Sequence, residues 1–352
     1  MNIHEKYMKR CIDLAKNALG QTYPNPMVGC VIVHEGKIIA EGWHHKAGEP
    51  HAEVNAIQNL KDESLIKNSV LYVSLEPCSH YGKTPPCADL IVSKGFKKVV
   101  IGTSDPFAKV KGRGIQKLMN HGCQVILGVL EDECLALNKR FMTFHNKQRP
   151  YIILKWAESA DGFLSPFIYG KDTTQNPVWL TNAYSKQLVH QWRSEEQAIM
   201  VGTNTALMDN PSLTTRLWDG KNPVRVVIDK DLKLLKDTKL FSEDANTIVF
   251  TKQAVEKNNP SHISYYQLDF EKPVLPQLLE ILHELEIQSI IVEGGRFTLQ
   301  QFIDQNLWDE ARVFKSPIML YNGTKAPRFD TKSYISKNII EDELRYFFNE
   351  KS

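Results

Sequence analysis

Apolar positions between residues 5 and 19 (Tyr7, Met8, Cys11, Leu14, Ala15, Ala18) recur at helical spacing and predict a helix. Short apolar runs at 27–33 and 37–41 flank His34-Glu35-Gly36 and predict a hairpin. Residues 51–60 gather Ala52, Ala56, Ile57 and Leu60 near one helical face. The β-branched run at 69–75, Ser-Val-Leu-Tyr-Val-Ser-Leu, predicts a buried strand. The alternation continues with a helix at 87–94, a strand at 97–103, a helix at 114–121, a strand at 123–127 and a helix at 131–143. Strands alternating with helices imply an α/β layer fold with a largely parallel sheet.

At 145–150 the chain turns polar (His-Asn-Lys-Gln-Arg-Pro), which places a domain boundary between 146 and 147. A second alternating pattern starts with the strand-like 151–155. It continues through helix 181–194, strands 197–201, 223–228 and 246–251, helix 276–286, strand 288–293 and helix 296–305. Domains of 1–146 and 147–352 are each long enough to bury a core. The stretch 163–178 has no clear period and is expected to be a loop, and long loops inside a domain are often functional.

Composition changes this picture mainly by exclusion. The 352 residues are 42% hydrophobic and 24% charged, and 43 basic against 41 acidic residues give a net charge of +2. That balance gives no support for a nucleic-acid or membrane partner. No apolar run approaches the ~20 residues that span a bilayer. The N-terminus lacks the apolar core of a signal peptide, so a cytoplasmic location is expected. In such a location the six cysteines are expected to be packing residues or metal ligands, not disulfides. Cys11, Cys30, Cys123 and Cys134 sit in apolar patterns and are assigned to packing.

His51-Ala52-Glu53, followed by Pro77-Cys78 and Cys87, carries the strongest chemical signal. One imidazole and two thiolates suit zinc and leave its fourth position open to water, whose pKa falls toward 7. Hydroxide formed there can attack an amidine-like ring carbon. Glu53, near the start of the same helix as His51, can take the water proton and deliver it to departing ammonia. This is the pattern of the zinc nucleobase deaminases, H-x-E…P-C-x-x-C, except that eight residues (79–86) separate the cysteines here. Tyr81-Gly82 and Pro85-Pro86 would let that insert loop out. The structural alternative is a closed, bracing zinc site with His80 as fourth ligand, which would not need Glu53.

Three strings go further: 22–29 (Thr-Tyr-Pro-Asn-Pro-Met-Val-Gly), 42–53 (Gly-Trp-His-His-Lys-Ala-Gly-Glu-Pro-His-Ala-Glu) and 76–87 (Glu-Pro-Cys-Ser-His-Tyr-Gly-Lys-Thr-Pro-Pro-Cys). In these the chain resembles the bifunctional deaminase–reductases of riboflavin biosynthesis, and the resemblance extends over essentially the whole chain. It implies a cytidine-deaminase-like three-layer α/β/α domain followed by a dihydrofolate-reductase-like α/β domain. It also implies phosphoribosylaminopyrimidine substrates, one Zn²⁺ per chain, NADPH, and a homo-oligomer (dimer or tetramer). Asn25, His44, Lys83 and Asp105 would hold the deaminase substrate. Phe107 departs from the family's Asp-Pro-Asn and removes a polar side chain there.

The second half has no G-x-G-x-x-G, only Glu293-Gly294-Gly295 between a predicted strand and helix, where backbone N–H groups can approach a phosphate. The resemblance places Glu158, Trp179, Thr205, Asp209 and Gly295 at NADPH, and Arg193, Leu213, Arg216 and Glu293 at the substrate. Arginines suit a substrate that carries a phosphate. Pro177-Val178 before Trp179 depart from the family, and the segment from Asp161 to Trp179 is longer than is common. The competing readings are a zinc nucleobase or tRNA deaminase with a degenerate second domain, and a zinc-braced binding protein without catalysis.

Overall fold

A computed structural model describes residues 2–81, 85–106, 112–166, 178–254, 259–328, 330 and 333–350. The chain divides into two units, Met1–Gln148 and Arg149–Ser352.

The first unit is built on a five-stranded sheet. In chain order it runs α1 (Ile3–Ala15), β1 (Gly29–His34), β2 (Lys37–Trp43), α2 (Ala52–Gln58), β3 (Ser69–Leu75), α3 (Cys87–Lys94), β4 (Lys98–Thr103), α4 (Arg113–Asn120), β5 (Gln124–Leu127), α5 (Glu131–Leu137) and α6 (Lys139–Lys147). The strand order is β2-β1-β3-β4-β5. β1 pairs antiparallel with both β2 and β3, and only β3-β4-β5 is parallel. The sheet is therefore mixed, where a largely parallel one was expected. The tight turn between β1 and β2 forces the difference: Glu35 and Gly36 both take positive φ (46° and 75°), the geometry of a type I′ hairpin.

Strand alternation sorts the core into two faces. Val31, Val33, Tyr72 and Val100 pack under α1 with Tyr7, Met8, Cys11 and Ile12, and Cys134 of α5 joins them. Cys30, Ile32, Leu71, Val73, Val99 and Ile101 face α2, α3 and α4. This is a three-layer arrangement, and Cys11, Cys30, Cys123 and Cys134 are buried in it as free thiols. Gly29 lets α1 approach, since a Cβ there would lie 2.0 Å from the Cys11 carbonyl oxygen. The helix expected over 131–143 is broken at Asn138. Its side chain bonds both the N–H (2.8 Å) and the carbonyl (2.9 Å) of Met27 and so leaves the helical path.

The second unit has a nine-stranded sheet. Its elements are β6 (Tyr151–Glu158), β7 (Phe163–Ser165), α7 (Ala183–Glu195), β8 (Ala198–Gly202), α8 (Thr203–Asp209), β9 (Val224–Ile228), β10 (Thr247–Thr251), β11 (Ile263–Gln267), α9 (Val274–Glu284), β12 (Ser289–Val292), α10 (Arg296–Asp304), β13 (Glu310–Lys315), β14 (Thr324–Lys325), β15 (Ile335–Ile339) and β16 (Asp342–Phe348). The order is β11-β10-β9-β8-β12-β6-β13-β16-β15, parallel as far as β13, with an antiparallel hairpin on that edge. Ile152, Leu154 and Trp156 of β6 face the core under α9 and α10, while Tyr151 and Ile153 face the core under α7. Central strands buried on both faces read as near-continuous apolar runs. Residues 163–165, expected to start a loop, instead pair with β14. No helix of the described residues is long and apolar enough to cross a membrane.

Arg225 of β9 is fully buried and acts as an internal strut. It donates to the carbonyls of Ser212 (3.0 Å), Leu240 (3.0 Å) and Ser242 (2.9 Å). It thus anchors the segment that carries Leu213 and Arg216. Arg225→Met would leave those carbonyls unpaired, at about 1–3 kcal/mol each. The expected result is a loss of at least about 3 kcal/mol in chemical denaturation of the second unit, with zinc content unaltered.

Candidate metal and reductase sites

The metal-ligating residues come from three places in the first unit. His51 is the N-cap of α2, Cys78 follows β3, and Cys87 is the first residue of α3. His51 Nδ1 lies 3.6 Å from Cys78 Sγ and 3.3 Å from Cys87 Sγ, and all three donor atoms fall within 4.8 Å of one another. Tetrahedral zinc with ordinary bond lengths would separate a nitrogen and a sulfur ligand by about 3.5 Å. The donor set fits that ion in both chemistry and spacing. His80, the fourth ligand of a closed site, is not in the group.

The Cys87 thiol hydrogen-bonds Cys78, and together with His51 and the Cys87 backbone N–H (3.3 Å) it holds the Cys78 pKa down to about 4. Cys87 is pushed up by the neighbouring Cys78 and by burial. A dication would favour the thiolate of both. Glu53, in the first turn of α2, is buried (3% exposed) and interacts with Cys87. Burial, with the Cys78 charge adding to it, raises its carboxyl to about 7.

Asn25 and His44 stand next to this group. Asn25 Nδ2 is 3.0 Å from His44 Nε2, and His44 Nδ1 is 3.1 Å from the Pro50 carbonyl. That pairing fixes a neutral tautomer, with the N–H on Nδ1, and burial lowers the His44 pKa in agreement. The His44 and His51 rings meet edge to face at 5.2 Å. Gly42 makes this possible: a Cβ there would lie 2.5 Å from the Ala56 nitrogen, so α2 can lie directly on β2. Asp105 is buried just beyond β4. Lys83 and Phe107 lie outside the described residues, as do 167–177 of the 163–178 segment.

In the second unit, Arg193 on α7 and Glu293 after β12 form a buried ion pair at 2.9 Å. Lys155 Nζ lies 3.9 Å from the other Glu293 oxygen. Arg193 also donates to the Thr214 carbonyl (3.1 Å), beside Leu213, which takes a left-handed φ of 51°. Arg216 is exposed and donates to Ser212 Oγ at 3.1 Å. Lys155 and His190 were not singled out in the sequence. Lys155 is half-buried and desolvation lowers its pKa, while burial and Arg193 hold the His190 pKa at about 4. Among the described residues, His190 Nδ1, Arg193 Nε and Glu293 Oε1 are buried without a hydrogen-bond partner, Glu293 Oε1 having only the longer Lys155 contact, as expected of groups kept for a ligand. The only sequence signal for His190 was its place one helical turn before Arg193.

The cofactor residues divide. The Gly295 N–H donates to Thr205 Oγ1 at 2.9 Å, which joins the starts of α8 and α10. Gly202 and Gly294 both close on Thr298, with Cβ approaches of 2.5 and 2.8 Å. Asp209 ends α8, and burial raises its pKa. Trp179 is 61% exposed, with Lys186 Nζ 4.0 Å above its ring. Glu158 is engaged by Lys315 (2.8 Å) and the Trp156 indole (3.0 Å).

Residues 1–103 match the model of the cytidine and deoxycytidylate deaminase zinc-binding region, and residues 150–339 match that of the RibD C-terminal domain. The riboflavin biosynthesis protein RibD of Aquifex aeolicus (strain VF5) is 41% identical over 324 residues, covering 91% of this chain and 89% of that one. This chain belongs to the RibD family. The RibD of Bacillus amyloliquefaciens is 39% identical over 332 residues, with 92% and 87% covered. Among solved structures, the diaminohydroxyphosphoribosylaminopyrimidine deaminase/5-amino-6-(5-phosphoribosylamino)uracil reductase of Thermotoga maritima superposes with a TM-score of 0.87 at 37% identity, covering 99% of both chains. Acinetobacter baumannii RibD (form 1) gives 0.87 at 30% identity, again with 99% of both covered. In RibD terms, a zinc-binding deaminase domain with a His/Cys/Cys cluster precedes a reductase domain.

Proposed function

We propose that the unit Met1–Gln148 deaminates 2,5-diamino-6-(5-phosphoribosylamino)pyrimidin-4-one and that Arg149–Ser352 reduces the ribosyl group of the resulting 5-amino-6-(5-phosphoribosylamino)uracil to ribityl. The observation that carries this reading is the His51-Cys78-Cys87 triangle with Glu53 buried against Cys87. The cofactors are zinc and NADPH.

His51, Cys78 and Cys87 would hold zinc, which would supply a water acidified toward neutral pH. Glu53, buried against Cys87, would take a proton from the attacking water at its carboxylate and pass it to the amine that leaves as ammonia. Asn25 and neutral His44 orient the pyrimidine, with Asp105 and Lys83 on the same substrate. NADPH, when bound, would supply the hydride of the second step. Arg193, Leu213, Arg216 and Glu293 hold that substrate, while Glu158, Trp179, Thr205, Asp209 and Gly295 line the cofactor. Lys155 keeps a proton at Nζ beside Glu293, where a reduced product could receive it. A homo-oligomer belongs to the same reading and rests on the family resemblance.

Purified protein given the diaminopyrimidine and NADPH should release ammonia and then oxidise NADPH. Removing zinc should stop the first step and spare the second when the deaminated substrate is supplied. Ammonia release without later NADPH oxidation would remove the reductase from this reading.

A further inference from the structure

Glu76 is 3% exposed, and among the described residues its carboxylate accepts from four backbone N–H groups. Gly114 (2.9 Å) and Ile115 (3.3 Å) donate to one oxygen, Gly112 (3.0 Å) and Asp105 (3.3 Å) to the other. The Glu76 N–H itself donates to the Thr103 carbonyl at 2.9 Å. Gly114 sits directly on the next residue, since a Cβ there would lie 2.0 Å from the Pro77 carbonyl oxygen. The residue after Pro77 is the metal ligand Cys78.

The first N–H groups of a helix have no partner within the helix and attract anions. At α4 they are already taken by a side chain two residues from a zinc ligand. The same carboxylate reaches the backbone of Asp105, so it holds both the exit of β4 and the entry of α4 to the strand end that leads into Cys78. Neither contact touches the reacting atoms. What they set is the distance between the ligand Cys78 and the substrate-binding residue Asp105.

We propose that Glu76 is a positioning residue of the deaminase, tying Asp105 and the start of α4 to the Cys78 end of β3 so that substrate is held in register with the metal. The inference rests on the deaminase reading of the zinc site. A glutamine at 76 would offer one acceptor and one amide N–H₂. In either orientation, two of the four backbone donors would face another donor.

The test uses full-length, zinc-loaded protein. Glu76→Gln is expected to raise the deaminase KM at least about tenfold, since even one of the two lost hydrogen bonds to a charged group is worth that much. The deaminase kcat should stay within about twofold, zinc near one per chain and the reductase step unchanged. Glu76→Asp, which keeps the charge on a shorter arm, should recover part of the KM. An unchanged KM in Glu76→Gln overturns the proposal. So does a fall in kcat that follows zinc loss at constant KM, because the carboxylate would then only brace the metal loop. If Glu76→Gln does not fold, Glu76→Asp decides alone: a smaller KM rise supports the proposal and none overturns it. Absence of ammonia release in the unaltered protein would instead be a failure of the deaminase reading.

Discussion

Glu53→Gln is expected to lower ammonia release by about 10²–10⁴-fold, the usual worth of a positioned general acid–base. Zinc content and NADPH oxidation on separately supplied deaminated substrate should remain. Glutamine keeps the size of the side chain and an oxygen that can meet Cys87, so the fold around α2 has little reason to change. What it loses is the mobile proton. In the protein, burial lifts the Glu53 carboxyl to about 7, with the Cys78 charge adding to the effect and His51 opposing it. A buried carboxyl at that place can accept a proton from water and return it to nitrogen. Ammonia release and bound zinc measured on one preparation decide the matter. Undiminished release with zinc retained would sink the assigned role. Zinc loss in the variant would show that Glu53 serves the metal and not the proton.

The legible part of this protein was what depends on near neighbours in sequence. The strand at 69–75 and a helix around 87–94 were legible, because β-branched runs and a helix opened by Cys87 after Pro85-Pro86 are local signals. Asn138 breaks a predicted helix by bonding Met27, 111 positions away, and no periodicity could reveal that. β13, β15 and β16 went unread because charges interrupt their alternation, among them Arg312 and Glu310, which pair with each other at 2.6 Å inside the sheet. The zinc ligands were readable because metal chemistry restricts residue type and spacing. Glu76 was not, since its donors lie 29 to 39 residues away and are backbone groups without a sequence signature. Lys155, Arg193 and Glu293 belong to one charge cluster but come from three separate elements, and only the folded sheet brings them together.

That cluster gives the second large effect. Glu293→Gln is expected to destabilise the second unit at pH 7 by about 3 kcal/mol and to flatten its acid denaturation. Burial alone would raise the Glu293 carboxyl, but Arg193 and Lys155 outweigh it and hold the pKa at about 2, against an ordinary 4.5. A folded pKa below the unfolded one contributes stability that is present above pH 4.5 and is lost as the pH falls toward 2. Each unit of pKa difference corresponds to about 1.4 kcal/mol, which sets the size of the effect. In the variant, buried Arg193 and half-buried Lys155 keep their charge without a counter-ion, so the loss is already present at neutral pH. Five of the six tryptophans lie in the second unit, so denaturant unfolding followed by tryptophan fluorescence reports on it. Between pH 4.5 and 2 the unaltered protein should lose about 3 kcal/mol more than the variant. Parallel pH slopes would mean that Glu293 is not held ionised by these two cations. A parallel slope with reductase activity lost would leave Glu293 a substrate contact only, whereas the expected slope joined to a raised substrate KM would make its ion pair part of how Arg193 is presented to the substrate.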